Sequence, residues 1–249
     1  MAEVLMFHIV IPARYGSTRL PGKALLPILD KPMIAWVWER AVQAGATRVI
    51  VATDDSRIAE EMSGRGAEVA MTREDHASGT DRLAEVVRQL NLSDEHIVVN
   101  LQGDEPLMPA ANIRRVAAML EENPEADMAT LMEPLDRKDA HLESIVKVVA
   151  SDNGRALYFS RAPIPAHRPG GPAAPMYRHV GLYAYRAGFL SRFVDWPMAP
   201  MEQSESLEQL RALANNAFIQ IEVAPEPVPA GIDTEDDLIA IRQHLAATS

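Results

Sequence analysis

The sequence predicts an α/β fold with a mainly parallel central sheet, on three observations. Through the first half, short β-branched runs alternate with segments whose apolar residues recur at helical spacing. Loops rich in Gly, Asp, Arg and Lys follow the strand-like runs directly, where open α/β sheets bind their ligands. In the second half the pattern changes to strand-like runs joined by turn signals, an antiparallel excursion within the same sheet and not an independent domain.

Element by element, Phe7–Ile11 is an apolar run that reads as the first strand, and Met33, Ile34, Val37, Trp38 and Ala41 mark one face of the first helix. Val49–Ala52 is a β-branched run, after which Ser56 is placed to cap a helix over Arg57–Gly64. Glu68–Met71 is a further strand candidate. Leu83, Val86, Val87 and Leu90 keep an i, i+3, i+4, i+7 rhythm, Ile97–Leu101 reads as a buried strand, and Ile113, Val116, Ala117 and Leu120 share a helix face. Ile145–Ala150 and Ala156–Ser160 flank "SDNG", whose Asn153-Gly154 signals a hairpin. After a Pro/Gly-rich loop over Ala162–Pro175, the pattern predicts a strand at Val180–Tyr185, a helix at Ser204–Asn215, a strand at Phe218–Val223, and a last helix capped by Thr234.

Composition narrows the function classes. A length of 249 residues suits one large α/β domain or a domain with an insertion. With 24 Lys and Arg against 35 Asp and Glu, the net charge of −11 argues against a nucleic-acid or anionic-membrane surface. There is no cysteine, which rules out a disulfide, a thiolate nucleophile and a thiolate metal site. The N-terminal stretch has neither signal-peptide nor membrane-span character, so a soluble cytoplasmic protein is expected. One local reversal of sign stands out: Val4–Leu29 contains no acidic residue but includes Arg14, Arg19 and Lys23.

Four loops concentrate the chemistry. "IVIPARYGSTRLPGK" (Ile9–Lys23) has the cations and glycines of a phosphate loop, yet five residues separate Gly16 from Gly22, and Ala24 stands where a Walker A loop needs Ser or Thr. It reads as an anion site of another kind, against the alternative of a basic surface loop. "DHASGTDRL" (Asp75–Leu83) places Ser78, Gly79 and Thr80 before a helix with Arg82 in its first turn, suited to a base or ribose or to a plain N-cap. His76 reads as a loop histidine. "VNLQGDEP" (Val99–Pro106) sets Gln102 and Asp104 past a strand end, and "PAGIDTEDDL" (Pro229–Leu238) sets Asp233 before a helix. Magnesium takes one or two carboxylates plus substrate phosphate oxygens, so both aspartates are candidate ligands or turn residues.

Taken together, "IPARYGSTRLPGK", "MTREDHASGTDRLAE", "VNLQGDEPLMP", "ALYFSRAPIP", "RHVGLYAYRAGFL", "SLEQLR" and "GIDTEDDL" resemble the 3-deoxy-D-manno-octulosonate (Kdo) cytidylyltransferases, or CMP-Kdo synthetases, in order along nearly the whole chain. The resemblance implies a Rossmann-like nucleotidyltransferase fold as a single domain over residues 1–249. An antiparallel subregion at about 140–215 would serve sugar binding and the contact of a homodimer. It implies CTP phosphates held by Arg14, Arg19 and Lys23, Ala13 at the base, and Ser78, Gly79, Thr80 and Arg82 completing the cytidine pocket. Magnesium would be bound by Asp104 and Asp233. Gln102, Arg161, His179, Tyr183, Glu208 and Gln209 would surround the sugar, with Lys23, Asp104 and Asp233 carrying the catalysis. Arg161 and His179 would meet the sugar carboxylate, although Arg178 is an equal candidate from the residues alone. The implied reaction joins CTP and Kdo to give CMP-Kdo and pyrophosphate for lipopolysaccharide assembly. The proline-rich Ala162–Pro175 loop leaves an 8-amino analogue or another acidic 2-keto sugar as the alternative acceptor.

Overall fold

Nine strands form one sheet in the computed structural model, which describes residues 5–16 and 20–248. Arg19, assigned above to the phosphates, lies outside the described residues. In chain order the strands are β1 (Phe7–Ala13), β2 (Pro27–Ile28), β3 (Lys31–Pro32), β4 (Arg48–Thr53), β5 (Glu68–Met71), β6 (Ile97–Asn100), β7 (Met128–Pro134), β8 (Lys147–Ala150), β9 (Ala156–Ser160), β10 (Tyr177–Arg186) and β11 (Ile219–Val223). The helices are α1 (Met33–Gln43), α2 (Ser56–Gly64), α3 (Gly79–Gln89), α4 (Ala110–Glu122), α5 (Ala187–Phe193), α6 (Pro200–Glu205), α7 (Gln209–Ala214) and α8 (Glu235–Thr248). The sheet runs β11-β7-β10-β6-β1-β4-β5, with β8 and β9 added beside β10, while β2 and β3 form a separate pair.

Parallel pairing joins β6, β1, β4 and β5, and again β7 and β11; β10 lies antiparallel between β6 and β7. The parallel strands are sandwiched, as their unbroken apolar runs require. Ile9 and Ile11 face one core with α1 and α4, and Val10 faces a second core with α3, α5 and α7. The expected antiparallel excursion is present as β8, β9 and β10.

Two local expectations need correcting. Asp55, not Ser56, caps α2, because the helix already begins at Ser56; the Asp55 carboxylate accepts the Arg57 amide at 3.0 Å and also fixes the Arg57 guanidinium. The single helix predicted over Ser204–Asn215 is two, because Ser206 takes a left-handed conformation (φ 51°) that ends α6 before α7 begins.

Candidate active site

The parallel register of β4, β1 and β6 brings their carboxyl ends side by side, so the loops leaving β1 and β6 share one cleft. The cleft measures about 280 Å³ and is lined by Pro12, Ala13, Arg14, Lys23, Ala24, residues 76–79, Arg82, residues 102–104 and Asp233. Gly103 is required for that closeness: a Cβ there would sit 2.9 Å from the Pro12 carbonyl oxygen. Gly22 turns the phosphate loop at φ +67°, with the Tyr15 ring packed against it. The Arg57 guanidinium covers that ring, 3.3 Å from its centroid.

At the centre of the cleft, Lys23 Nζ donates to Asp104 Oδ2 at 2.7 Å and to Asp233 Oδ1 at 3.0 Å. Residues far apart in sequence thus converge on one point, where two carboxylates face one cation. The Ile232 amide donates to the Asp104 carbonyl at 3.0 Å and ties the two acidic loops together. Thr234 and Asp237 cap α8 reciprocally, which fixes where Asp233 emerges. The ammonium marks a position where a cation is held by two carboxylates, and such a donor set fits magnesium. Among the described residues no group of three or more His, Cys, Asp or Glu could hold a metal. A two-carboxylate site therefore needs phosphate oxygens or water to complete it.

The N-terminus of α3 forms one wall. Ser78 Oγ accepts the Asp81 amide and the Asp81 carboxylate accepts the Ser78 amide, a closed capping box. Ser78 and Gly79 line the cleft as expected. Thr80 turns away: it is buried and donates to Glu208 Oε2 at 2.5 Å. Arg82 reaches the cleft edge, but its guanidinium is buried and donates to Asp54 Oδ2 at 2.6 Å and to Thr72. His76, read above as a loop histidine, lines the cleft with Nε2 against Glu85.

Of the residues expected at the sugar, His179 and Tyr183 lie on the antiparallel side, in β10. Phe159, His179 and Tyr183 form a ring series with centroid separations of 4.9 and 5.3 Å. Glu208 bonds to Thr80, so this side abuts the α3 wall. Gln209 is buried beside it, and Gln102 stays on the cleft face. Burial pushes the His179 imidazole down to about 3, assisted by Arg178. The ring is therefore neutral, its Nε2 3.0 Å from the Thr130 hydroxyl, and a neutral imidazole keeps one N–H to donate. Arg178 is committed elsewhere, paired with Glu133 and donating to the Val228 carbonyl. The Arg161 guanidinium donates to the backbone carbonyls of Glu205 (2.7 Å), Glu143 (2.9 Å) and Ser206 (3.4 Å), while its amide donates to the Glu205 carboxylate. Burial raises the Glu208 and Tyr183 pKa values, keeping the Tyr183 phenol protonated.

Two residues escaped the sequence reading. Glu105 stands behind Asp104 with Oε2 buried and unbonded, and burial with the Asp104 charge pushes it up to about 8. Its place in "GDEP", next to a candidate ligand, was the available signal. Asp54, the partner of Arg82, sits in a loop after a strand as the other candidates do.

Residues 8–221 match the family model described as cytidylyltransferase. A 3-deoxy-manno-octulosonate cytidylyltransferase of Hahella chejuensis is 53% identical over 98% of this chain and 99% of its own length. One of Pseudomonas syringae pv. tomato is 54% identical over 97% and 98%. Among solved structures, a CMP:2-keto-3-deoxy-manno-octonic acid synthetase complexed with CTP is 43% identical, with a TM-score of 0.92 over 98% of this chain and 99% of that one. A cytidylyltransferase from Leptospira borgpetersenii, 16% identical with a TM-score of 0.61, shares the fold.

Proposed function

The chain belongs to the 3-deoxy-manno-octulosonate cytidylyltransferase family, and we propose that it transfers CMP from CTP to the anomeric hydroxyl of Kdo, giving CMP-Kdo and pyrophosphate for lipopolysaccharide assembly. The observation that carries this reading is the convergence of Lys23, Asp104 and Asp233 at the strand ends, in a chain that matches a CTP-bound relative over nearly its whole length.

In this reaction the sugar hydroxyl oxygen attacks the α-phosphorus in line and gives up its proton to water, an O–P bond forms, and the bond to the pyrophosphate oxygen breaks. Such transfer asks the protein chiefly for positioning and charge neutralisation. Arg14, exposed at the cleft mouth, and Lys23, 12% exposed within it, meet the phosphates. The amides of the α3 N-terminus, fixed by the Ser78–Asp81 box, face the nucleoside. Asp104 and Asp233 would hold magnesium, which would supply positive charge toward the sugar hydroxyl and the leaving pyrophosphate. The acid sugar lies against Tyr183, Gln102 and neutral His179, with its carboxylate on Arg161. That guanidinium is bonded to carbonyls and its charge stays available for the carboxylate.

The proposal includes a cytoplasmic homodimer. Its support is the family likeness together with exposed Leu142 and Leu157 on the antiparallel side, 40% and 54% accessible; light scattering checks the dimer. No helix among the described residues is long and apolar enough to cross a membrane. Pyrophosphate release with CTP, magnesium and a panel of Kdo, 8-amino-Kdo and a nonulosonate tests the reaction. Release is expected with Kdo first, and none with either octulosonate would sink the reading.

A further inference from the structure

We infer that Lys147 is a positioning residue for the sugar carboxylate, acting through Arg161; the inference rests on the reading above that Arg161 receives that carboxylate. Lys147 opens β8 and is completely buried. An ammonium group has three N–H donors, and here they meet the carbonyls of Leu142 (2.9 Å), Ile145 (2.6 Å) and Arg161. No carboxylate pairs with it among the described residues. A buried cation is costly unless its surroundings compensate it, so three converging carbonyls amount to a built cradle.

The cradle controls Arg161 twice. It grips the Arg161 carbonyl, while Glu205 grips the same residue from the other side, accepting its amide at 2.9 Å and the Ser160 hydroxyl at 2.6 Å. It also ties down residues 142–145, and the Glu143 carbonyl in that stretch is one of the three that orient the Arg161 guanidinium. Backbone and side chain of Arg161 are therefore both referred to one buried ammonium.

The test compares Lys147→Met, Arg161→Met and the double variant by steady-state kinetics with Kdo and CTP varied separately. Lys147→Met is expected to raise the Kdo KM about tenfold, with the CTP KM and kcat changed less than about threefold. Combined with Arg161→Met it should add less than about twofold to the Kdo KM of the single arginine variant, because the two residues act as a unit. A purely structural lysine would instead lower stability and both affinities together, and its effect would add to that of Arg161→Met; either pattern overturns the inference. An unchanged Kdo KM in Arg161→Met would show that the reading of Arg161 itself is wrong. A raised KM there, with a normal one in Lys147→Met, would remove the positioning role alone. If Lys147→Met does not fold, Lys147→Gln, which retains two N–H donors, should show an intermediate Kdo KM with a normal CTP KM. Equal changes in both KM values would again overturn the inference.

Discussion

Asp104→Asn removes one formal charge from the cleft and leaves the side-chain volume almost unchanged. The carboxylate accepts from Lys23 at 2.7 Å, and its side chain is 38% exposed. An ion pair this wet contributes about 1 kcal/mol or less to folding. In a chain of this size that corresponds to roughly 2–4 °C in melting temperature. Lys23 also keeps its second partner, Asp233, at 3.0 Å. The catalytic loss is expected to be larger. A carboxylate that organises positive charge around the phosphates in the transition state should cost at least about a hundredfold in rate, equivalent to about 2.7 kcal/mol. Arg14 and the α3 amides remain in place, so CTP binding should weaken less than turnover falls. Pyrophosphate release at saturating CTP and Kdo, titrated with magnesium, measures the first quantity, and a thermal melt measures the second. Near-normal turnover would refute the metal role of Asp104. A loss of activity that simply tracked a large fall in melting temperature would refute the separation of chemistry from stability at Asp104.

Three further outcomes follow from the same geometry. Arg82→Met leaves Asp54 largely buried without its partner, which should cost about 3–5 kcal/mol in chemical denaturation, with part recovered by Asp54→Asn; an unchanged midpoint would mean that the guanidinium serves the nucleotide and not the fold. Gly103→Ala drives a Cβ to 2.9 Å from the Pro12 oxygen, so about 1–3 kcal/mol of stability should be lost and turnover should fall with it as Asp104 shifts; wild-type kcat would count against the tight loop crossing. His179 is held near 3 in the fold against an ordinary 6.5, so between those values the unfolded chain binds the extra proton. Its contribution is complete above pH 6.5 and declines as pH falls, by about 1.4 kcal/mol per unit. His179→Asn should flatten that part of the stability–pH curve, and an identical slope in the variant would contradict the assignment.

Local pattern and non-local pairing divide what could be read from the sequence. The β1, β4 and β6 runs are strongly apolar, and the loops that follow them could be ranked as ligand sites before any coordinates. The meeting of Asp104 with Asp233 at Lys23 was not readable from spacing, since 81 and 210 residues separate the partners. Strand β7 was missed because Met128–Pro134 has little β-branched character. It is a strand because β10 and β11 pair with its two edges, a preference supplied by tertiary context. Lys147 shows the same limit at one residue. A lysine inside the strand-like run Ile145–Ala150 reads as solvent-facing, and only the fold brings three carbonyls to it. The break at Ser206 also escaped, because the leucine rhythm of Leu207, Leu210 and Leu213 continues the helical pattern across a left-handed residue.

The loop Ile9–Lys23 invites comparison with a Walker A loop, and the structure gives the physical difference. In a Walker A loop the residue after the lysine supplies a hydroxyl to magnesium, so phosphate and metal contacts come from one contiguous segment. Here that residue is Ala24, 6% exposed and packed into the core. A hydroxyl at this position would itself need a buried partner. The carboxylates come instead from the loop after β6 and the N-terminal end of α8, and the lysine sits between them. The charged groups of the cleft are thus divided among three loops that meet only when the sheet has formed, two of them joined by the Ile232–Asp104 backbone bond. A consequence is that Ala24→Ser cannot convert the loop to a Walker device. The carboxylates that define the charge at this point would be unchanged.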